Sequence, residues 1–300
     1  MISTLTFNSF MQRQIDELRK AGKARTSETY QTTLNRLNDY LEGREIQFKD
    51  VTASLVDGFE AYLEARHNSR NTTSFYMRIL RAVYNRGVDK GWTRQRDPFR
   101  HVYTGVERTR KRAVSISVIR RLKGLDLSGR PDLEKARDLF LFSFYTRGMS
   151  FIDMAYLHRK NLSGGHLTYT RRKTGQTICV RWEPAMQEIV DRYPVNPNGL
   201  LLPILTKPRE DLRKQYKNSI LKTNISLAKI SEMLHLKEPL TTYVARHSWA
   251  SIAYSQSVPV SLISEGMGHD SERTTRIYLA SVTNSGVDRA NRKIMKMLMR

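Results

Sequence analysis

The sequence predicts a mainly α-helical protein in two parts: an N-terminal four-helix bundle, then a mixed, mostly helical domain with a small antiparallel β-sheet. Three observations predict it. The first hundred residues carry four amphipathic helical stripes joined by short connections. A hairpin signature rich in β-branched and aromatic residues appears once, well into the second half. The chain has 300 residues, enough for two domains, each with its own core.

Phe7, Phe10, Met11, Ile15 and Leu18 fall on one helical face, which ends near Gly22. Tyr30, Leu34, Leu37 and Leu41 make the second stripe, closed at Gly43. Leu55, Phe59 and Leu63 follow an expected N-cap at Thr52. Tyr76, Ile79, Leu80, Val83 and Tyr84 follow Asn71 and stop near Gly87. Residues 1–100 are therefore expected to form the first domain. The pattern lapses between Pro98 and Val114, so 101–114 reads as a linker. Its run from Glu107 to Arg112 is basic; it is either a solvated loop or a contact to a polyanion's backbone.

The second domain, 115–300, resumes with helices at Val118 to Leu122 and Leu133 to Tyr145. His166 to Thr170 and Thr177 to Arg181 then flank Arg172-Lys173-Thr174-Gly175-Gln176, a hairpin turning at Thr174-Gly175. Pro184 opens another helix, and helices dominate from Leu212 onward. Gly266 to Asp270 interrupts them as a tight turn.

The chain carries 51 Lys plus Arg against 29 Asp plus Glu, a formal net charge of +22. Such an excess draws the protein to a polyanion before any specific contact forms. Nucleic acid ranks first, because phosphate neutralisation releases condensed counterions. An anionic membrane surface ranks second. No apolar run of about 18 residues is present, so no membrane span is expected. The start lacks a charged flank followed by an apolar core, so no secretory signal is expected. The single cysteine, Cys179, supports neither a disulfide framework nor a Cys-based metal site.

Four pieces of the second domain carry chemistry: Tyr145 to Ser150, Arg172 to Gly175, Tyr243 to Ala250, and Gly266 to His269 continuing to Ile277-Tyr278. In their order and spacing they resemble the tyrosine recombinase (phage integrase) family, in its short two-domain form. The run from Arg246 to Ser251 with that from Gly266 to Ser281 is the most specific part. The resemblance implies a SAM-like core-binding bundle followed by the catalytic domain. It also implies cleavage and rejoining of DNA through a 3′-phosphotyrosyl bond.

The residue types suit that chemistry. A phenol is a good nucleophile and, with a pKa of about 10, also a good leaving group. Arginines grip phosphate oxygens with forked donors and stabilise the charge that rearranges in the transition state. No cluster of carboxylates suited to magnesium is evident, so no metal or other cofactor is expected, and the phosphotyrosyl bond that the resemblance implies would conserve the phosphodiester energy without ATP.

By resemblance, Arg147 and Arg246 hold the scissile phosphate, Lys173 protonates the departing 5′ oxygen, and His269 hydrogen-bonds a phosphate oxygen. Tyr278, nine residues after His269, is the nucleophile. Asp153 resembles the acidic support of the first arginine, although it lies six residues after Arg147 instead of the usual three. Tyr243 stands where the family usually has His; its hydroxyl can donate to phosphate but is a poor general base near neutral pH. On composition alone Tyr145, Tyr156, Tyr243 and Tyr254 rival Tyr278, and His247 reads as a buried structural histidine.

Candidate DNA contacts are Lys23, Arg25, Thr72, Thr73, Arg78, Arg110, Lys111 and Arg112, by charge and by position at helix starts. Thr26, Arg81 and Arg86 are further candidates. The tail from Ser285 to Arg300 bears Val287, Ile294, Met295 and Leu298 on a basic helix, which packs on its own domain or, as the resemblance implies, on a neighbouring protomer. The partner expected is double-stranded DNA with inverted-repeat core sites, bound by a homotetramer, in a bacterial cytoplasm at the nucleoid. A type IB topoisomerase and a regulator with impaired catalysis are the alternatives; integration, excision and inversion all stay open.

Overall fold

In the computed structural model, the described residues are 5–107, 112–208, 210–269, 271–279 and 295. The chain divides into two compact units, 1–109 and 110–300.

The first unit holds α1 (Phe7–Lys20), α2 (Ala24–Tyr40), α3 (Ala53–Ala65) and α4 (Arg70–Asp89). Three of the four have hydroxyl N-caps: Thr6 accepts from the N–H of Ser9, Thr52 from that of Leu55, and Ser69 from that of Thr72. Each satisfies an N-terminal donor that the helix itself leaves free. Ser69 therefore starts α4 before Asn71, whose side chain instead exchanges two hydrogen bonds with the backbone of Glu107, at 2.7 and 3.0 Å. Nor does Gly87 end α4. It lies within the helix, at a point where a Cβ would collide with the ring of Phe48, so only glycine fits there. The apolar stripes close on one core, in which Phe7, Phe10 and Phe48 meet edge to face or tilted.

The stretch after Pro98, where periodicity lapses, is packed rather than loose. Phe99 and Val102 are buried in the bundle core. Arg81 donates to the hydroxyl of Thr104 at 2.9 Å, and the Ser74 hydroxyl donates to the carbonyl of Gly105 at 2.5 Å.

The second unit runs α5 (Ile116–Lys123), α6 (Pro131–Tyr145), α7 (Phe151–Ala155), β1 (Leu162–Ser163), β2 (His166–Thr170), β3 (Thr177–Arg181), α8 (Pro184–Asp191), α9 (Leu212–Met233), α10 (Thr242–Ser255), α11 (Val260–Met267) and α12 (Glu272–Leu279). Helix α6 is charged over its first two turns and buried on every side from Asp138 to Ser143, and it packs against α5, α8, α9 and α10. Its one deeply buried carboxylate, Asp138, accepts from Arg192, Arg137 and the hydroxyl of Tyr193, which satisfies a charge that burial would otherwise penalise.

The three strands form an antiparallel sheet in the order β1-β2-β3. Thr170 pairs with Thr177 across the turn, so Leu167, Tyr169, Ile178 and Val180 face the core and Cys179 faces outward. The short strand β1 is an addition to the expected hairpin. Among the described residues no helix is long and apolar enough to cross a membrane.

Candidate active site

Helices α6, α9, α10 and α11 of the second unit all end in the same kind of turn, and the site is built where the ends of α6 and α11 meet. Helix α6 leaves through a Schellman turn: Gly148 N–H donates to the carbonyl of Ser143 at 2.7 Å and Arg147 N–H to that of Phe144 at 3.2 Å. The left-handed position in such a turn is usually glycine. Here Arg147 occupies it, with φ of 61°. Glu42, His67, His235 and Ser257 take the same left-handed position after α2, α3, α9 and α10, so this turn is a recurrent helix ending in the chain. Helix α11 leaves through the same motif, with glycine in its usual place. His269 N–H donates to the carbonyl of Ser264 at 3.0 Å and Gly268 N–H to that of Glu265 at 2.8 Å, with Gly268 at φ of 62°.

Arg246, on α10, joins the two exits. Its side chain is only 2 % exposed. Nη1 donates to the carbonyl of Gly148 at 2.7 Å, and Nη2 donates to that of Met267 at 2.7 Å and to Nε2 of His269 at 2.8 Å. A guanidinium between two helix C-termini also lies where the helix dipoles favour positive charge. Gly148 has to be glycine: a Cβ there would lie 2.7 Å from Cα and 2.8 Å from Cγ of Arg246. The side chain of Arg147 passes over Gly266 of α11, whose missing Cβ would lie 3.5 Å from both Cδ of Arg147 and the Trp249 ring.

His269 is buried between Arg246 and α12. Because Arg246 donates to Nε2, Nε2 accepts and the ring proton lies on Nδ1, which donates to the hydroxyl of Thr275 at 2.7 Å. Burial first, then the positive charges of Arg246, Arg171 and Lys173, push the imidazole down to about 3, so it is neutral at physiological pH. Thr275 is fully buried and lies on α12, the helix that also carries Tyr278 three residues later. The backbone of Tyr278 is thus tied through Thr275 to His269 and Arg246. Its side chain lies outside the described residues.

The β2–β3 hairpin supplies the other wall. Lys173 is exposed in its turn. Asp153 is buried on α7; it accepts from the backbone N–H of Arg172 at 2.9 Å and from the hydroxyl of Ser150 at 2.6 Å. Its hydrogen bonds thus hold the base of the Lys173 turn, where support for Arg147 was expected. The guanidinium of Arg171 is buried and donates to the carbonyl of Gly268. Burial also pushes the Tyr169 phenol well above its ordinary range.

Sequence reasoning missed Arg171 and Thr275. Strand alternation could have found the first, since Leu167 and Tyr169 point inward and Arg171 continues their phase. Tyr243 is 46 % exposed at the start of α10 and meets the His247 ring edge to face at 4.8 Å. His247 is buried, as its sequence setting suggested.

The N-terminal DNA candidates divide. Lys23 and Arg25 are exposed at the start of α2. Thr72 engages the Ser69 hydroxyl at 2.9 Å, and Arg78 donates weakly to the Ser74 carbonyl at 3.4 Å. Thr73 is 3 % exposed and faces the bundle interior, where its hydroxyl cannot reach a DNA backbone without moving α4. Arg112 is exposed and pairs with Glu238 at 3.2 Å. Arg110 and Lys111 lie outside the described residues, as does the tail from Ser285 to Arg300 apart from Met295.

Comparison with known proteins agrees with both units. Residues 6–103 match the phage integrase SAM-like domain, and residues 170–284 match the phage integrase family. Tyrosine recombinase XerC of Roseiflexus sp. (strain RS-1) is 24 % identical over 279 residues, covering 90 % of this chain and 87 % of that protein. The fold is similar to that of a lambda integrase tetramer bound to a Holliday junction, with a TM-score of 0.70 and 13 % identity over 92 % of this chain and 78 % of that one. It is similar also to a Tn1549 transposon integrase in complex with a circular intermediate DNA, with a TM-score of 0.67 and 14 % identity over 96 % and 99 % of the two chains. XerH site-specific recombinase bound to its difH substrate gives a TM-score of 0.61 and 18 % identity over 90 % and 81 %. With a helical bundle, a mixed domain carrying a small antiparallel sheet, and a family match within each, the chain belongs to the tyrosine recombinase (phage integrase) family.

Proposed function

We propose that the protein is a site-specific DNA recombinase whose nucleophile is Tyr278. The observation that carries this reading is the convergence of Arg147, Arg246 and His269 at two adjoining helix exits, with the Lys173 hairpin and the helix of Tyr278 attached to the same turn. Such a cluster of buried and half-buried cations calls for an anion, and a phosphodiester fits it.

In the proposed reaction the Tyr278 phenol gives up its proton to water as its oxygen attacks the scissile phosphorus. Its bond to the 3′ phosphate forms as the bond to the 5′ oxygen breaks, and that oxygen takes a proton from Lys173. A 5′ hydroxyl from another strand then displaces the tyrosine by the reverse path. The phosphodiester energy is kept in the phosphotyrosyl bond, so no ATP is consumed. Arg147 and Arg246 supply forked donors to the non-bridging oxygens. To donate to a phosphate oxygen, neutral His269 carries its ring proton on Nε2 in the complex, with Nδ1 accepting from the Thr275 hydroxyl, which also releases Arg246 Nη2 towards the phosphate. Pairs of inverted core sites held by a homotetramer are the proposed substrate, with Lys23, Arg25, Thr72, Arg78 and the basic run of Arg110, Lys111 and Arg112 as proposed backbone contacts.

The test is covalent trapping on a nicked suicide substrate. The parent should form a protein–DNA adduct. Tyr278→Phe should bind a half-site with parental affinity and form none; an adduct from the Phe variant would show that another residue is the nucleophile.

A further inference from the structure

Arg171 has a place in this site that the family's reaction does not assign. It is 6 % exposed, and no carboxylate among the described residues is paired with it. Its backbone closes the hairpin: the N–H of Arg171 donates to the carbonyl of Gln176 at 2.8 Å, and its own carbonyl accepts from Gly175 at 2.8 Å. Its side chain leaves the hairpin and donates from Nη1 to the carbonyl of Gly268. Nε is buried and has no hydrogen-bond partner among the described residues. Two other hairpin side chains reach the same turn, but at long range. Thr174 Oγ1 lies 3.5 Å from the Gly268 carbonyl and Gln176 Nε2 lies 3.4 Å from that of His269. Arg171 is the short link between the turn that carries Lys173 and the turn that carries His269.

A cation buried with an unsatisfied donor lowers stability unless its position is useful. An apolar side chain of similar length would fill the same space without that penalty. We propose that Arg171 is a positioning residue that locks the Lys173 hairpin onto the Gly268–His269 turn, so that the proton donor and the phosphate ligand act in one fixed geometry. The inference rests on the proposed roles of Lys173 and His269. It concerns geometry alone: Arg171 acts through the two turns, and displacing a catalytic group by about 1 Å costs on the order of 100-fold in rate.

The experiment compares Arg171→Met and Arg171→Lys with the parent in single-turnover cleavage of the suicide substrate. A second substrate replaces the 5′ bridging oxygen with sulfur, whose thiolate leaves without needing a proton. Expected for Arg171→Met are a folded protein by circular dichroism, parental half-site affinity, and cleavage slowed on the order of 100-fold. The sulfur substrate should restore part of that loss, because it no longer needs Lys173. Arg171→Lys, with one donor still able to reach Gly268, should fall between. Parental cleavage by Arg171→Met, or a loss that sulfur does not relieve at all, overturns the proposal. Should the Met variant fail to fold, the same two readings on Arg171→Lys decide. Lys173→Ala and His269→Gln are the controls: parental cleavage by both would overturn the site reading itself, whereas slow cleavage by both with parental Arg171 variants would overturn only the coupling.

Discussion

Gly148→Ala is the substitution that most directly tests the meeting of two helix exits on Arg246. The added methyl faces two penalties. The backbone stands at φ of 76°, where an L-residue costs about 1–2 kcal/mol. The methyl carbon would also sit 2.7 Å from Cα and 2.8 Å from Cγ of Arg246, inside van der Waals contact. Relieving such an overlap in a packed core costs about 1–3 kcal/mol. The sum is about 2–5 kcal/mol, and at about 2–4 °C per kcal/mol it should lower the thermal midpoint by roughly 4–20 °C. Gly199→Ala separates the two penalties. Gly199 has a similar φ of 68°, but a Cβ there meets nothing within 4 Å. It should lose only the backbone part, roughly 2–8 °C, and cleave at the parental rate. Gly148→Ala should also slow single-turnover cleavage by about 100-fold, because the overlap is relieved by moving Arg246 away from Gly148. The assays are thermal unfolding and suicide-substrate cleavage on the same three proteins. Equal midpoints for the two alanine variants, with parental cleavage by both, would refute the argument that Arg246 is seated against Gly148.

Arg246→Ala should cost cleavage about 100- to 1000-fold, whereas Tyr243→Phe, which removes one neutral hydroxyl from a half-exposed ring, should cost far less; comparable losses in single-turnover rates would give Tyr243 a share in proton transfer. The His269 imidazole is held at about 3 when folded, below its ordinary value near 6.5, so the unfolded chain binds the extra proton first and stability falls as pH drops from about 6.5 towards 3. His269→Gln should flatten that part of the profile of denaturant midpoint against pH; an unchanged slope would mean that other groups set it. Recombination should persist in excess EDTA, since arginines serve as the charge stabilisers; loss on chelation with recovery on adding magnesium would count against the proposed chemistry.

What the sequence determined by itself was local. Helical periodicity placed Phe10, Leu37, Phe59 and Val83 in one core, because residues three and four apart must share a face. Thr52 was readable as a cap because its hydroxyl serves a donor only three residues away. The hairpin around Thr174 was readable from β-branched alternation, and the order of Arg147, Lys173, Arg246, His269 and Tyr278 was enough to indicate the family. Tertiary structure decided which of these residues touch and what else joins them. Arg246 meets Gly148 across 98 residues and Arg171 meets Gly268 across 97, and no short-range pattern encodes a partner at such a separation. Gly87 looked like a helix stop because glycine often is one, yet it lies inside the helix, where the ring of Phe48, from elsewhere in the chain, leaves room only for glycine. Thr73 looked like a surface hydroxyl at a helix start until the packing of α4 turned it inward. Asp153 lies near Arg147 in sequence but bonds to the backbone of Arg172, because the fold brings the hairpin base, and not the arginine, to its carboxylate. Local propensity depends on a few neighbouring torsions, whereas the site depends on where separate helices end in space, and that is set only when the core packs.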